Sequence, residues 1–576
     1  MKTNNIFKFI AVALCSAVLL TSCAEETFPE NGYAVNDQIG ESPFATGGVL
    51  SAIPTILMSN YTTILGEGEH VEFGYMGLVG GLDRLTGDMF PVSGSMDGGN
   101  PYFDRWQFAT YPCTLLWLNN TSYASMWYYK SYYQFIFTAN SAISVLAAAE
   151  NPGAELGVAL AYRAMIYTDM ARLYDPLHAV GDPNAPAGYE IKPEVVGLTV
   201  PLITENTTQD EMENNPRLPR EQMWAYILND LNKAEELMIA DASYTRPTIG
   251  IPNLAVVYGL KARAYLWLGG LDGNYGAVVV PGQAEEISVE VPTGNDAYRK
   301  AAEYARKAIT ESGCSIMSEA QWLDPMTGFC VANNSWMMGL CQSTDTVIGN
   351  LYSWTAHMSL EAIWGYGHGS QPGVSNKFYE RINPADFRRK NIVSPDRNWA
   401  AFQPYTNLTE DEFNGSENSP IAPYAWGKFH TNGGEKFDYS KGNVTDIPLM
   451  RVEEMYLIEA EATAHYDEAT GKSLIESFMA NRAPGYACMS RDVVEEIIFQ
   501  KRVEFWGEGV VIYDMKRMDI GWSNADNTNS PVYNRITTVG RAPWWNFTLP
   551  ESAEQMNAGI RGLNNPNPCG TYISND

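Results

Sequence analysis

The chain has 576 residues, more than one ordinary core needs, and its 45% of apolar residues are enough to offset the ordering entropy of folding. Its 67 acidic residues against 38 basic ones give a net charge of −29. That balance argues against nucleic acid as a partner, because duplex binding needs a basic face that releases counterions.

Residues 1–22 read as a secretory signal. Lys2 and Lys8 form its basic end, and the uncharged run 9–20 is too short to span a bilayer comfortably. The run ends Leu20-Thr21-Ser22-Cys23, which resembles a bacterial lipobox. Cys23 is therefore expected to carry lipid and to open a mature chain, 23–576, read as one domain. Several acyl chains on one cysteine would hold a membrane firmly. No later stretch is long and apolar enough to cross one. Besides Cys15 and Cys23 the chain has Cys113, Cys314, Cys330, Cys341, Cys488 and Cys569. Six cysteines allow fifteen pairings, among which sequence does not choose.

Helical periodicity then recurs along the chain. Residues 157–174 place Val158, Ala161, Tyr162, Met165, Ile166, Met170 and Leu173 on one stripe, and Asp175-Pro176 stops it. Residues 221–239, 253–268 and 297–309 repeat the pattern, as do 448–465 and 491–506. Alanines at these spacings let helices approach closely. Long irregular stretches intervene at 66–120, 180–219, 269–294 and through most of 313–446, rich in Gly, Pro, Asn, Ser and aromatics. Loops of that length usually serve function. The expected fold is mainly α, a helical scaffold carrying large irregular loops on one face. There is no clean 34-residue repeat.

Several segments, in order, resemble the SusD/RagB family. They are YYKSYYQFIFTANSAI with Asn140, AYRAMIYTDMARLYDP with Arg163-Ala164, RLPREQMWAYILNDLNKAEELM with Asp230-Leu231 and Ala234, and LKARAYLWLG. The later ones are IPLMRVEEMYLIEAEATAH with Arg451, Glu454 and Glu461, FQKRVEFWGEGVVIYDMKRM with Arg502, Glu504, Glu508, Asp514 and Arg517, and FTLPESAEQMN. The resemblance implies a tetratricopeptide-like scaffold on the outer face of the outer membrane. There it would act as the lid of a SusC-like TonB-dependent transporter, to which it delivers captured oligosaccharide. Ala24-Glu25-Glu26 resembles the acidic surface-export signal of such lipoproteins. A peptide-binding lid of the same architecture is the alternative. The charged residues of the two late motifs sit at i, i+3 and i+4 spacings, where carboxylates and guanidiniums usually pair to brace a scaffold.

Chemistry finds no foothold. His70, His178, His357, His368, His430 and His465 form no HExxH, and no metal site is expected. Thr470-Gly471-Lys472-Ser473 imitates the end of a phosphate loop, but Tyr466 stands where its first glycine belongs and a helix precedes it. No GxSxG surrounds a serine. An inverting glycosidase would need two carboxylates roughly 6.5–9.5 Å apart, and no pair stands out. Neither a catalytic residue nor a cofactor is expected.

The same resemblance implies that ligand would sit on the loop face. Aromatics reach 12% of the chain, a surplus that suits sugar CH faces packing on flat rings. Behind Thr86-Gly87-Asp88, which resembles a family loop motif, stand Phe90, Asp97 and Asn100. In 350–378, Tyr352, Trp354, Trp364, Tyr366 and His368 lie among glycines that let backbone approach a ligand. A third loop offers Trp399, Phe402 and Tyr405.

Overall fold

The computed structural model describes residues 43–58, 74–92, 120–149, 151–177, 189–341, 354–362, 365, 367, 371–415, 419–433, 438, 445–523 and 537–568. As expected, helices dominate. The longer ones are α1 Pro43–Met58, α2 Gly74–Leu82, α3 Tyr123–Ala147, α4 Ala154–Tyr174, α5 Arg220–Ala240, α6 Leu254–Gly269 and α7 Gly294–Ser312. They continue with α8 Val452–Ala464, α9 Glu468–Met479, α10 Val493–Glu504 and α11 Val511–Arg517. Short polar side chains start many of them by taking up a free backbone N–H. Ser122 accepts from Ser125 N at 3.1 Å, Asn253 from Val256 N at 3.2 Å and Asp492 from Glu495 N at 2.9 Å. Neighbouring helices pack in succession: α3 on α4, α4 on α5, α6 on α7, α7 on α8 and α8 on α9. No helix among the described residues is long and apolar enough to cross a membrane.

Strands occur in antiparallel pairs: β1 Phe90–Pro91 with β7 Pro372–Gly373, β2 Leu198–Pro201 with β3 Arg217–Pro219, β4 Gly276–Val279 with β5 Ser288–Val291, and β6 Trp336–Leu340 with β8 Ile447–Arg451. The last pair corrects the sequence reading, which began a helix at 448. Pro448 favours an extended residue before it, and Leu340 pairs with Ile447, so the helix starts only at Val452. Helices α1, α2, α9 and α11 were not foreseen. In α2 every residue is buried and four of nine are glycine, so no polar face marks it.

Three family segments converge on one buried guanidinium. Arg163 donates to Asp230 through Nε at 2.8 Å and Nη2 at 3.0 Å, and to Asn140 Oδ1 at 2.9 Å. The later charged motif residues also pair, Arg517 with Asp514 at i, i+3 along one helix at 3.0 Å and most of the others between elements. Arg451 meets Glu508 at 2.8 Å, Arg263 meets Glu454 at 2.6 Å and Arg502 meets Asp88. Glu461 takes both Lys501 and Arg517. Among the described cysteines, Cys314, Cys330, Cys341 and Cys488 are free thiols.

Candidate functional site

A second, smaller core stands beside the main one. Val92, Leu360, Val393, Phe402, Leu408, Phe413, Ile421 and Ala425 fill it, with Trp399, Ala422 and Tyr424 packed half-buried against them. It gathers the loop regions that the sequence singled out. Strand β1 brings the first to the second by pairing Phe90 with Gly373, and Val92 N donates to Gln371 O at 3.0 Å. Position 373 requires glycine, because a Cβ there would lie 2.3 Å from Tyr424 O. Gln371 ties in the stretch beyond, its Oε1 accepting from Ala422 N at 2.7 Å and its Nε2 donating to Pro420 O at 3.2 Å.

The third loop is held by Glu361. Its Oε1 accepts from Asn407 N at 2.8 Å and Thr406 Oγ1 at 3.1 Å, and its Oε2 from Asn407 Nδ2 at 3.1 Å. His430 Nδ1 lies 3.2 Å away. Burial would raise this carboxyl, but the His430 ring and the Asn407 donors hold it below the usual carboxylate range. Arg397, just before Trp399, ties this stretch to the segments beyond it. It donates to Ile421 O at 2.7 Å and Phe413 O at 2.8 Å, with its guanidinium 5.0 Å from the Phe413 ring centre.

The backbone here is unusual. Non-glycine residues with left-handed φ among the described residues are Gln371, Arg397, Tyr424, Asn432 and Asp519, and the first three belong to this lobe. Such conformations persist where surrounding contacts over-determine them, and they cluster at binding sites. Partly exposed rings accompany them. Trp399 lies 5.2 Å from Phe413, and Tyr424 meets Tyr379 edge-on at 5.5 Å. Tyr405 is half-buried in the turn that follows Trp399.

Of the residues expected on the loop face, Trp399 is therefore on this lobe, half-buried, and Phe402 is in its core, while Tyr405, three residues on, is half-buried against the main core. Phe90 opens β1 opposite Gly373. Trp354 takes a different place. It is 2% exposed in the main core, its indole so close to α2 that a Cβ on Gly80 would lie 2.5 Å from the ring. Tyr352, Trp364, Tyr366, His368, Asp97, Asn100 and the lipobox Cys23 lie outside the described residues. Sequence reasoning missed Tyr424, Gln371 and the Glu361–Asn407–His430 contacts. Glu361 had left a signal, as a lone acid in the apolar run Met358 to Ile363.

Apart from this lobe, an open groove of about 680 Å³ runs along α3, lined by Tyr129, Tyr133, Phe137, Met212 and Met556. Among the described residues, no group of three or more His, Cys, Asp or Glu side chains is arranged to hold a metal ion.

Residues 368–558 match the model of the SusD family. The chain also has the fold of SusD superfamily proteins. A SusD-like carbohydrate binding protein from Bacteroides vulgatus superposes with a TM-score of 0.63 at 18% identity, over 91% of this chain and 98% of that one. A SusD superfamily protein from Bacteroides thetaiotaomicron gives 0.60 at 15% identity, over 91% and 99%. Surface glycan-binding protein A from Bacteroides thetaiotaomicron, solved in complex with laminarihexaose, gives 0.60 at 14% identity, over 91% and 100%. No curated protein matches the chain in sequence.

Proposed function

We propose that this SusD-fold chain is an outer-membrane lipoprotein, anchored through Cys23 and exposed on the cell surface, that captures oligosaccharide. It then passes the glycan to a SusC-like TonB-dependent transporter and performs no chemistry itself. The observation that carries the reading is the likeness in fold to a glycan-binding protein solved with laminarihexaose. The small second core supports it by setting aromatic rings in an over-determined backbone beside amides and charges. On this reading Trp399, Tyr405 and Tyr424 offer ring faces. Tyr352, Trp364, Tyr366, His368, Asp97 and Asn100 belong to the loops that continue from β1 and β7, with Phe90 at the root.

Each stacked ring adds roughly 0.5–1.5 kcal/mol beyond the area it buries, by analogy with aromatic pairs. Two or three rings with hydrogen bonds then give about −4 to −8 kcal/mol, a millimolar to micromolar affinity. Capture of that strength suits handover, since a ligand held much more tightly would not be released to the transporter.

The test is calorimetric titration of the chain from Ala24 onward with polysaccharides, oligosaccharides and oligopeptides. Saturable heat with a glycan, and no release of reducing ends on incubation, is the expected result. Heat with peptides alone would replace the glycan by a peptide ligand. Release of reducing ends would overturn the non-catalytic reading.

A further inference from the structure

Most buried carboxylates of the scaffold face arginine or lysine, among them Glu504, Glu508, Glu461, Glu454 and Asp230. Glu361 does not. It is 2% exposed, and its ionisable partner within 4 Å is His430. Its remaining acceptor capacity goes to a loop 45 and 46 residues away, to Thr406 Oγ1, Asn407 N and Asn407 Nδ2. Asn407 Nδ2 also donates to Pro325 O at 2.8 Å, so four separate stretches of chain meet at this point. An anion taking a backbone N–H and a side-chain N–H of one residue fixes that residue in both position and orientation.

What it fixes follows directly after Tyr405. The turn Gln403–Tyr405 leads straight into Thr406 and Asn407, and Leu408 then enters the small core. Phe402, on the other side of the turn, is buried in the same core. Tyr405 is thus suspended between an apolar anchor before it and a charged anchor after it. The apolar anchor sets where the segment lies. The charged anchor sets the direction in which the chain leaves the turn, directly after Tyr405, whose ring packs half-buried against the main core.

We propose that Glu361 is a positioning residue for ligand capture, acting through Thr406 and Asn407 on Tyr405. This rests on the reading that the lobe binds glycan. Glu361 touches no ligand itself. Glu361→Gln keeps the volume, but its amide N–H must face either Asn407 Nδ2 or Asn407 N together with His430, and the charge is lost.

The experiment is a double-mutant cycle on the full mature chain, with the glycan that gives saturable heat. Below its unfolding transition, Glu361→Gln should weaken binding by about tenfold, the scale of a lost charged hydrogen bond. Amide hydrogen exchange over residues 403–409 should speed up while that of α4 and α5 stays unchanged. Tyr405→Ala should weaken binding as well. In the double variant Glu361→Gln should add nothing further, because both substitutions act on one ring. A general structural defect would instead add its own loss and would quicken exchange in the helices. Undiminished binding by Glu361→Gln beside weakened binding by Tyr405→Ala would overturn the positioning role alone. No glycan heat from the unaltered chain, or full affinity in Tyr405→Ala, would overturn the placement of the ligand site and the positioning role with it.

Discussion

The Arg451 guanidinium meets the Glu504 carboxylate at 3.0 Å inside the core, both side chains being at most 1% exposed. Two more arginines share that carboxylate, Arg388 and Arg482, each at 2.9 Å. They come from distant places: Arg451 ends β8, Arg482 follows α9, and Arg388 lies in the short turn Phe387–Arg389. Glu504 therefore fastens the loop-bearing part of the chain to the scaffold. Burial alone would raise its carboxyl, but the three guanidiniums hold it far below the usual carboxylate range. Glu504→Gln leaves three buried cations without their shared anion, each keeping another carboxylate such as Asp386, Glu508 or Glu453, and is expected to cost about 3 kcal/mol in denaturant unfolding. With a depressed folded value, the carboxylate's contribution is present above the ordinary value near 4.3 and is lost as pH falls below it. Wild-type stability should thus drop on acidification in that range, and the Gln variant should drop less.

Asp83 acts with the opposite sign. Burial pushes its carboxyl up to about 7, against the hydrogen bond it accepts from Gly509 N at 3.0 Å. From about 4 to about 7 the fold holds a proton that the unfolded chain has released, so stability declines as pH rises through that window, by at most about 1.4 kcal/mol per unit. Asp83→Asn keeps an acceptor for Gly509 and carries no charge. Unfolding midpoints measured from pH 5 to 8 should fall in the wild type and stay flatter in the variant, which should be the more stable of the two at pH 8.

What the sequence disclosed about the fold was its helices and its family segments, because both are written in local spacing. The stripe over 157–174 became α4, and the motif residues Asn140, Arg163 and Asp230 meet in one network. Helix α2 was illegible because it is buried on every side and has no polar face to give a period. The distant partners of Arg451, Glu454 and Glu461 were illegible for another reason: they are 40 to 191 residues away, where spacing carries no information. The candidate site was legible as a set of loops rich in rings. Which rings stay half-exposed was not. Trp354 and Trp399 look alike in sequence, yet one packs on the glycine of a helix and the other caps a small core from outside.

That difference between two tryptophans is measurable. Trp354 fills a space that Gly80 leaves open, so Trp354→Ala should lower stability by about 3–5 kcal/mol, the range for a buried large aromatic. Gly80→Ala drives a methyl into the indole and should cost about 1–3 kcal/mol from the opposite side. Trp399→Ala removes a half-buried ring and should leave the unfolding midpoint nearly unchanged while the heat of glycan binding falls. A Trp399→Ala chain that unfolds early would mean that this ring holds the lobe together instead of meeting ligand.

Lys516 explains how the chain tolerates its Tyr174-Asp175-Pro176 stop. A helix carbonyl normally receives the N–H of the fourth residue onward, and for Arg172 that residue is Pro176, which has none. The next carbonyl, Leu173 O, loses its partner as well, because Leu177 N turns to Asn546 Oδ1 at 3.1 Å. Lys516 Nζ supplies what is missing. It donates to Arg172 O at 2.7 Å, Leu173 O at 3.0 Å and Trp545 O at 2.8 Å, and so joins the end of α4 to the C-terminal segment. Burial drives its ammonium well below the usual lysine value, with Asp175 only partly opposing this. Leu173 O also accepts from Phe547 N at 3.1 Å, so Lys516→Met would leave chiefly Arg172 O and Trp545 O unserved. At about 1–3 kcal/mol for each buried group left unpaired, denaturant unfolding should show a loss of at least 2 kcal/mol, although methionine nearly preserves the volume. A midpoint equal to wild type would mean that the α4 terminus satisfies its carbonyls without the lysine.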